Sequence, residues 1–196
     1  MTAFDERWES FLDPDVLRPS LLNATMFITT FEILKDTVKD RVRDFYTHGF
    51  GPGGPAVDPD YQQQVASRNK SILYASLDWL REQGAIDVDD LKLFEELRTT
   101  RNLLAHKLFM VVSGQVPSQH SSQLPMLFGL LRKIETWWVV NVEIPIAGDF
   151  SAQDIDESQV VPGSIISLQM LIEVASGNKE LLEYWRDLRR RRGVES

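Results

Sequence analysis

The sequence contains no cysteine among its 196 residues. This absence excludes disulfide bonds, thiolate nucleophiles and cysteine-ligated zinc sites. Hydrophobic residues make up 43% of the chain, which is enough apolar material for a core that needs no covalent or metal cross-links. A reducing compartment is compatible with this composition.

Long apolar runs are also scarce. The longest candidate, residues 137 to 147, is interrupted by Asn141, Glu143 and Pro145, whereas a bilayer-spanning helix needs roughly 18 or more apolar residues. The first residues lack the basic and apolar regions of a secretory signal. We therefore expect a cytoplasmic protein that has no contact with a membrane.

Histidine is rare, and positive charge is in deficit. The only histidines, His48, His106 and His120, lie far apart without metal-ligand spacing, so we expect no metal site and no cofactor. The formal net charge is -8. Phosphate contacts come from Lys and Arg, so the bulk charge excludes general binding of nucleic acid. Any nucleic-acid site must then be a local basic one.

Apolar residues recur at helical spacing along most of the chain and predict an all-α bundle of about five to six helices. We expect one domain over residues 1–196, with a core at about 20–145 and a C-terminal helical extension at about 160–192. The predicted helices cover about 20–48, 60–83 and 87–113, a fourth from about 124 to Pro145, a fifth after Pro162 and a last one around 181–188. A polar loop is predicted at 115–123, a Gly/Pro turn at 50–55, and an acidic loop at about 149–157.

The third predicted helix carries the segment Arg101-Asn102-Leu103-Leu104-Ala105-His106. At about 100° per residue, the row of Leu93, Leu97, Leu104 and Leu108 faces the core. His106 lies about 200° round from Leu104 on that wheel, and Asn102 is one turn before it. Arg101 lies on the flank, and Arg98 borders the polar side. The wheel therefore predicts a lateral face that another surface could cover.

These residue types suit metal-free chemistry on a phosphodiester. A histidine with an ordinary pKa of about 6.5 can take up or release a proton near neutral pH. An arginine is always charged and can hold a phosphate through parallel hydrogen bonds. The nucleophile would be the 2′-hydroxyl of the RNA itself. On spacing alone, however, a solvated Arg and His on a polar helix face are the favoured interpretation.

The segment resembles the signature of the HEPN superfamily (higher eukaryotes and prokaryotes nucleotide-binding domains), an Arg, a polar residue and then a His on a helix of a small bundle. The resemblance covers about residues 20 to 145. It implies a metal-independent ribonuclease of toxin–antitoxin, abortive-infection or CRISPR systems, acting as a dimer. Arg101 and His106 then correspond to the catalytic pair, and Asn102 to the polar position. Leu108 replaces a Tyr found in some members, which implies that control by modification of that Tyr is absent.

Other basic residues are candidates for contacts with RNA. Arg98 and Lys107 lie beside the motif, and Arg68 lies on the second predicted helix, where a solvated face is the favoured interpretation. For the C-terminal basic cluster from Arg186 to Arg192 we favour basic residues that complement the negative end of the last helix, with RNA contact as the alternative. The adjacent Trp137 and Trp138 are interpreted as packing residues.

Two functions follow from these observations. The first is a metal-independent HEPN-type endoribonuclease, a toxin or defence effector, with a composite site at a homodimer interface. The second is a non-catalytic HEPN-like module for binding or dimerisation, with a regulatory or scaffold role and an antitoxin or regulatory protein as partner. The acidic net charge motivates the second.

Overall fold

The longest apolar stripe of the sequence forms the longest helix of the fold. The structure is a computed structural model that describes residues 3–51, 53–148 and 156–191. The described chain is an all-helical bundle with one small β-hairpin. In order, it consists of α1 (Ala3–Leu12), α2 (Pro14–Phe45), β1 (Thr47–Gly51), β2 (Gly54–Val57), α3 (Pro59–Gln64), α4 (Ile72–Glu82), α5 (Val88–Val112), α6 (His120–Trp138), α7 (Ile144–Ala147), α8 (Gly163–Ala175) and α9 (Glu180–Arg191).

Helix α2 is the centre of the bundle and contacts α4, α5, α6 and α8. Its fully buried row, Phe27, Leu34, Val38 and Val42, follows helical spacing. The helix begins at Pro14 rather than at residue 20, because the Asp13 side chain accepts the amide of Asp15 at 2.9 Å. An N-cap followed by proline at the first helical position is a strong start signal.

The segment after α2 is an antiparallel hairpin and not the simple turn that its Gly and Pro content predicts. Thr47 pairs with Val57, and Phe50 pairs with Pro55. The end of α2 therefore lies at Phe45 instead of residue 48. Prolines tolerate such edge positions, where a missing backbone donor breaks no ladder.

The second predicted helix, 60–83, is divided into α3, a 3-10 turn at Ala66–Arg68 and α4. The division occurs at Asn69, which has extended backbone angles and accepts the amide of Ser71 at 3.0 Å. Asn side chains compete with helical hydrogen bonds in this way. Arg68 consequently lies in the 3-10 turn rather than on a helix, and α4 supplies the buried residues Leu77, Trp79 and Leu80.

Helices α5 and α6 complete the core. Asp87 and Asp90 form a capping box at the start of α5. Helix α6 begins at His120, so the predicted loop 115–123 is shorter than expected. A π-helical turn at Val139–Glu143 joins α6 to α7, which ends at Ala147, two residues past the predicted end at Pro145. Trp138 is buried and stacks on Trp79 with ring centroids 5.9 Å apart. Its packing role is therefore confirmed.

Helices α8 and α9 lie within the segment of about 160–192 for which the sequence predicts two helices. Helix α8 contacts α2 and α6, and its buried residues are Ile165 and Leu168. Most of the predicted acidic loop, residues 149–155, lies outside the described residues.

Among the described residues, one helical stretch, Glu157–Ala175, is long and apolar enough by length and composition to cross a membrane. It is longer than residues 137 to 147, which the sequence analysis took as the longest apolar candidate.

Candidate functional site

The motif residues lie in the middle of α5. On this helix Leu97 and Leu104 are fully buried and Phe94 nearly so, while Leu93 and Leu108 are only partly buried. Asn102 and His106 are exposed. The core stripe is thus slightly rotated from the predicted leucine row, but Asn102 and His106 lie away from the core as the wheel predicts.

Arg101 is held by a carboxylate of the neighbouring helix. Its Nε donates to Oε1 of Glu32 at 2.7 Å, and Nη2 donates to the same oxygen. Nη1 reaches Oδ1 of Asn102 at 3.3 Å. The guanidinium therefore lies on the flank between core and polar face, where a single carboxylate oxygen takes two of its donors.

Glu32 is itself a shared acceptor, since its other oxygen accepts from Lys35 of the same helix. Partial burial acts to raise the pKa of Glu32, but the hydrogen bonds from Lys35 and Arg101 outweigh burial and leave that pKa lowered. Glu32 is therefore ionised at neutral pH and neutralises much of the charge of Arg101.

His106 does not face Arg101 within one chain. The two residues are five positions apart, which separates them by about 140° around the axis and about 7.5 Å along it. Within the described parts of the chain, no hydrogen bond or ion pair joins His106 to another residue. One copy therefore presents Arg101 and His106 on different sides of α5.

The helix bends immediately after the histidine. Lys107 has φ -135° and ψ 28°, which lies outside the helical region, so the predicted uninterrupted helix is wrong at this residue. Prolines and glycines are the usual causes of such kinks, and residues 103–112 contain neither. The kink leaves Lys107 exposed and changes the direction of the last turn and a half of α5.

An apolar surface lies next to His106. Phe109 and Met110 are exposed to 60% and 39% although both are large and apolar. The ring of Phe11 in α1 meets Phe109 edge-to-face with centroids 5.7 Å apart, and the adjacent Leu12 is largely exposed. We call Phe11, Leu12, Phe109 and Met110 the motif-side patch. Exposed apolar groups of this kind are typical of contact surfaces.

The additional basic candidates differ in their availability. Arg98 donates to Glu95 at 3.0 Å and lies 5.7 Å from the ring centroid of Tyr74. Arg68 is paired with both Asp78, at 3.2 Å, and Glu82 of α4. Arg68 is therefore occupied by structural ion pairs. Of the three candidates, Lys107 alone has its charge on an exposed and unpaired side chain.

The sequence did not predict Glu32 and Lys35 as residues of the candidate site. They lie next to the core stripe of α2, and only the packing of α2 against α5 brings Glu32 to Arg101. A carboxylate at the edge of an apolar stripe is the one sequence signal for such a pair, and it does not name the partner.

Neither a metal site nor similarity to a known protein assigns a function to these residues. Over the described residues, no group of three or more His, Asp or Glu side chains is placed to hold a metal ion. No protein-family model, curated protein or solved structure matches the chain.

Proposed function

We propose that this chain is a metal-independent endoribonuclease of the HEPN type that acts as a homodimer, in the role of a toxin or defence effector. The observation that carries the proposal is the placement of Asn102 and His106 on an exposed lateral face of α5, beside the partly buried Arg101, in an all-helical bundle.

The proposed reaction uses groups that this face presents. The 2′-hydroxyl of RNA gives its proton to His106 and attacks the adjacent phosphorus, while the bond from phosphorus to the 5′ oxygen breaks. A protonated His106 of the second copy returns a proton to the leaving 5′ oxygen. Arg101 stabilises the negative charge on the phosphoryl oxygens. The products are a 2′,3′-cyclic phosphate and a 5′-hydroxyl.

The separation of Arg101 and His106 argues for two copies. One chain holds these side chains on different sides of α5, so a second chain packed against this helix is needed to surround one phosphate. The motif-side patch offers an apolar contact for that second chain directly beyond His106. Nη1 of Arg101 is the guanidinium edge directed away from Glu32, towards Asn102, and it is the edge that a phosphate can use.

The first experiment measures cleavage of RNA in the presence of EDTA. The purified protein should produce 2′,3′-cyclic phosphate ends, and His106→Ala and Arg101→Ala should abolish this product. His48→Ala is the matched control, because His48 is also exposed but lies on the β-hairpin. Cleavage by the His106→Ala and Arg101→Ala proteins at the wild-type rate would sink the proposal.

A second experiment tests the composite site. Phe109→Glu should shift the protein from dimer to monomer in light scattering and remove cleavage. Phe50→Glu is the matched control, since Phe50 is 88% exposed on the β-hairpin, and it should leave both properties unchanged. An active Phe109→Glu monomer would contradict a site shared between two copies.

The Arg101–Glu32 contact favours the second candidate, a non-catalytic module for binding or dimerisation. A guanidinium already paired with a carboxylate, in a chain of net charge -8, is a weak phosphate ligand. This candidate predicts a dimer that neither cleaves nor binds RNA, with Glu32→Gln leaving RNA binding unchanged. Its partner would be an antitoxin or regulatory protein.

A further inference from the structure

Helix α8 is apolar on two opposite sides. Ile165, Leu168 and Ile172 share the side that packs towards the bundle. The opposite side, which a core helix would make polar, carries exposed large apolar residues at helical spacing. These are Ile166, Met170, Leu171 and Val174, each 45–58% exposed. The second side therefore remains about half exposed within the described chain.

Helix α9 extends this apolar surface. Leu181 and Tyr184 line a shallow groove together with Ile166 and Met170 of α8, so the exposed sides of the two helices adjoin. The acidic residues Glu173 and Glu180 also line this groove. Tyr184 and Trp185 are 65% and 55% exposed. No residue of α9 is buried. We call the exposed apolar side of α8 and α9 the hairpin face. It is distinct from the β-hairpin formed by β1 and β2.

The charges of α9 are arranged around that face in a specific way. At about 100° per residue, Arg186 and Arg189 lie at one edge of the apolar arc and Arg191 lies at the other edge. Glu180 lies beside Arg191 at that second edge. Glu183 and Asp187 lie on the opposite side of the helix, where Asp187 pairs with Arg190 at 3.1 Å. Long arginine side chains at such edges can extend their charged ends to a polar boundary while their stems remain in apolar surroundings.

The dimensions favour a helix that lies on a surface over one that crosses it. Within the apolar stretch Glu157–Ala175, only the 13 residues of α8 form a continuous α-helix. This gives a length of about 20 Å, whereas the apolar part of a bilayer is about 30 Å thick. One side of α8 is also committed to the bundle. Only 17% of the apolar stretch Glu157–Ala175 is buried, so the remainder is available to an external apolar phase.

We propose that the hairpin face docks on the surface of a bilayer that contains anionic phospholipid. The exposed aliphatic side chains and Trp185 would enter the boundary between headgroups and acyl chains, as amphipathic helices do. Arg186, Arg189 and Arg191 would contact lipid phosphates at both edges. This assignment reverses the expectation of no membrane contact and does not depend on the ribonuclease proposal.

A bilayer fits these features better than the other occupants. An RNA would use the arginines but would leave the broad apolar arc uncovered. A second copy would also cover the arc, whereas a lipid surface presents negative charge to the arginines of both edges at once. A sheet of phosphate groups over an apolar layer matches the order of charges and apolar groups across α9.

The test is flotation of the full chain with vesicles of phosphatidylcholine and phosphatidylserine, beside vesicles of phosphatidylcholine alone. We expect binding to the anionic vesicles that weakens strongly in 0.5 M salt, since screening shortens the range of charge interactions. Trp fluorescence should shift to the blue on binding, and Trp185→Phe should lose this shift while still binding.

Matched variants locate the surface. Met170→Glu and Trp185→Glu should each weaken vesicle binding by about tenfold or more, because each removes a large apolar group from the lipid contact. Phe50→Glu changes an even more exposed apolar residue outside the hairpin face and should have no effect. Arg189→Glu should weaken binding about fivefold or more, whereas Arg190→Glu, on the side away from lipid, should cost about twofold at most.

Three outcomes would overturn the proposal. Failure to bind anionic vesicles is the first. The second is a dimer in light scattering that Trp185→Glu dissociates, without any vesicle binding, which would assign the hairpin face to a second copy. The third is RNA binding that Arg189→Glu removes while vesicles remain unbound. His106→Ala should bind vesicles as the wild type does, which separates this result from the fate of the ribonuclease proposal.

Discussion

Glu32→Gln is the change that tests most directly what the Arg101 contact does. The substitution keeps the shape of the side chain and an amide oxygen that can still accept a hydrogen bond. It removes the negative charge that both Arg101 and Lys35 contact. We expect the variant to be slightly less stable and to bind RNA more tightly than the wild type.

The loss of stability follows from the exposure of the pair. The side chains of Arg101 and Glu32 are 28% and 32% exposed, so the pair is partly screened by solvent. Ion pairs of this kind contribute about 0.5–1 kcal/mol to the free energy of unfolding. In a protein of this size such a loss lowers Tm by about 1–4 °C. Thermal unfolding at neutral pH and low salt measures it.

The gain in RNA binding follows from the guanidinium donors. Two N–H donors that now point to one Glu32 oxygen would face a neutral amide oxygen in Glu32→Gln, which a phosphate displaces more easily than a carboxylate. A hydrogen bond to a charged group contributes about 1.5 kcal/mol or somewhat more, and part of this is lost to solvent. We therefore expect about fivefold tighter binding of a non-cleavable 2′-deoxy or 2′-methoxy substrate analogue, measured by fluorescence anisotropy.

The same pair sets a pH dependence with a definite sign. The pKa of Glu32 is lowered in the folded chain, so its contribution to stability is complete above the ordinary carboxyl value of about 4.3. That contribution disappears as the pH falls through the lowered value of the folded state. The difference in Tm between wild type and Glu32→Gln should therefore be present at neutral pH and should vanish in acid.

Asp36→Asn is the control for this prediction. Asp36 lies one turn further along α2 and pairs with Lys39 at 2.9 Å, so its substitution removes an equal charge from the same helix without touching Arg101. Asp36→Asn should leave RNA binding unchanged. If Glu32→Gln also left RNA binding unchanged, or weakened it, the interpretation of Arg101 as a phosphate ligand restrained by Glu32 would be refuted.

Three further predictions concern stability. Leu104→Ala, at a fully buried position, should lower the free energy of unfolding by about 2–5 kcal/mol, measured by urea denaturation, and a loss below 1 kcal/mol would contradict the core placement. Burial lowers the pKa of His120, so stability should decline as the pH falls below about 6.5, and His120→Gln should flatten that decline. Asp87→Ala should lower Tm at neutral pH, since it removes the cap of α5 and a partner of Lys133. Because the pKa of Asp87 is lowered, this difference should become smaller in acid, and a difference that is unchanged there would contradict a contribution from the charged carboxylate.

Periodicity predicted the helical class because apolar spacing is a property of each segment taken alone. The stripe of α2 and the capping acids of α5 act within one or two turns, so their effects can be read from consecutive residues. Local side-chain chemistry also explains why the second predicted helix is interrupted. The Asn69 amide contact to Ser71 is local, but a helical pattern on both sides of it conceals the interruption.

The features that determine the site are not local, and periodicity could not supply them. Glu32 and Arg101 are 69 positions apart, and they meet only because α2 packs against α5. The kink at Lys107 has no Pro or Gly in its neighbourhood, so a helical wheel, which assumes a continuous helix, does not reveal it. The apolar outer side of α8 produces the same periodicity as a buried one, which hid its exposure.

The contacts of the motif separate two ways in which activity can be lost. Arg101 is anchored to its own bundle through Glu32, whereas His106 faces outward next to the kink and the motif-side patch. A change at Glu32 should therefore alter how Arg101 meets a phosphate while the dimer persists. A change at Phe109 should remove the second copy while the Arg101–Glu32 contact persists. Because these effects act on different steps, Glu32→Gln should change RNA affinity without changing the mass in light scattering. A variant of Glu32 that dissociated the dimer would show that both residues belong to one interface, and Arg101 would then be a structural residue of that interface.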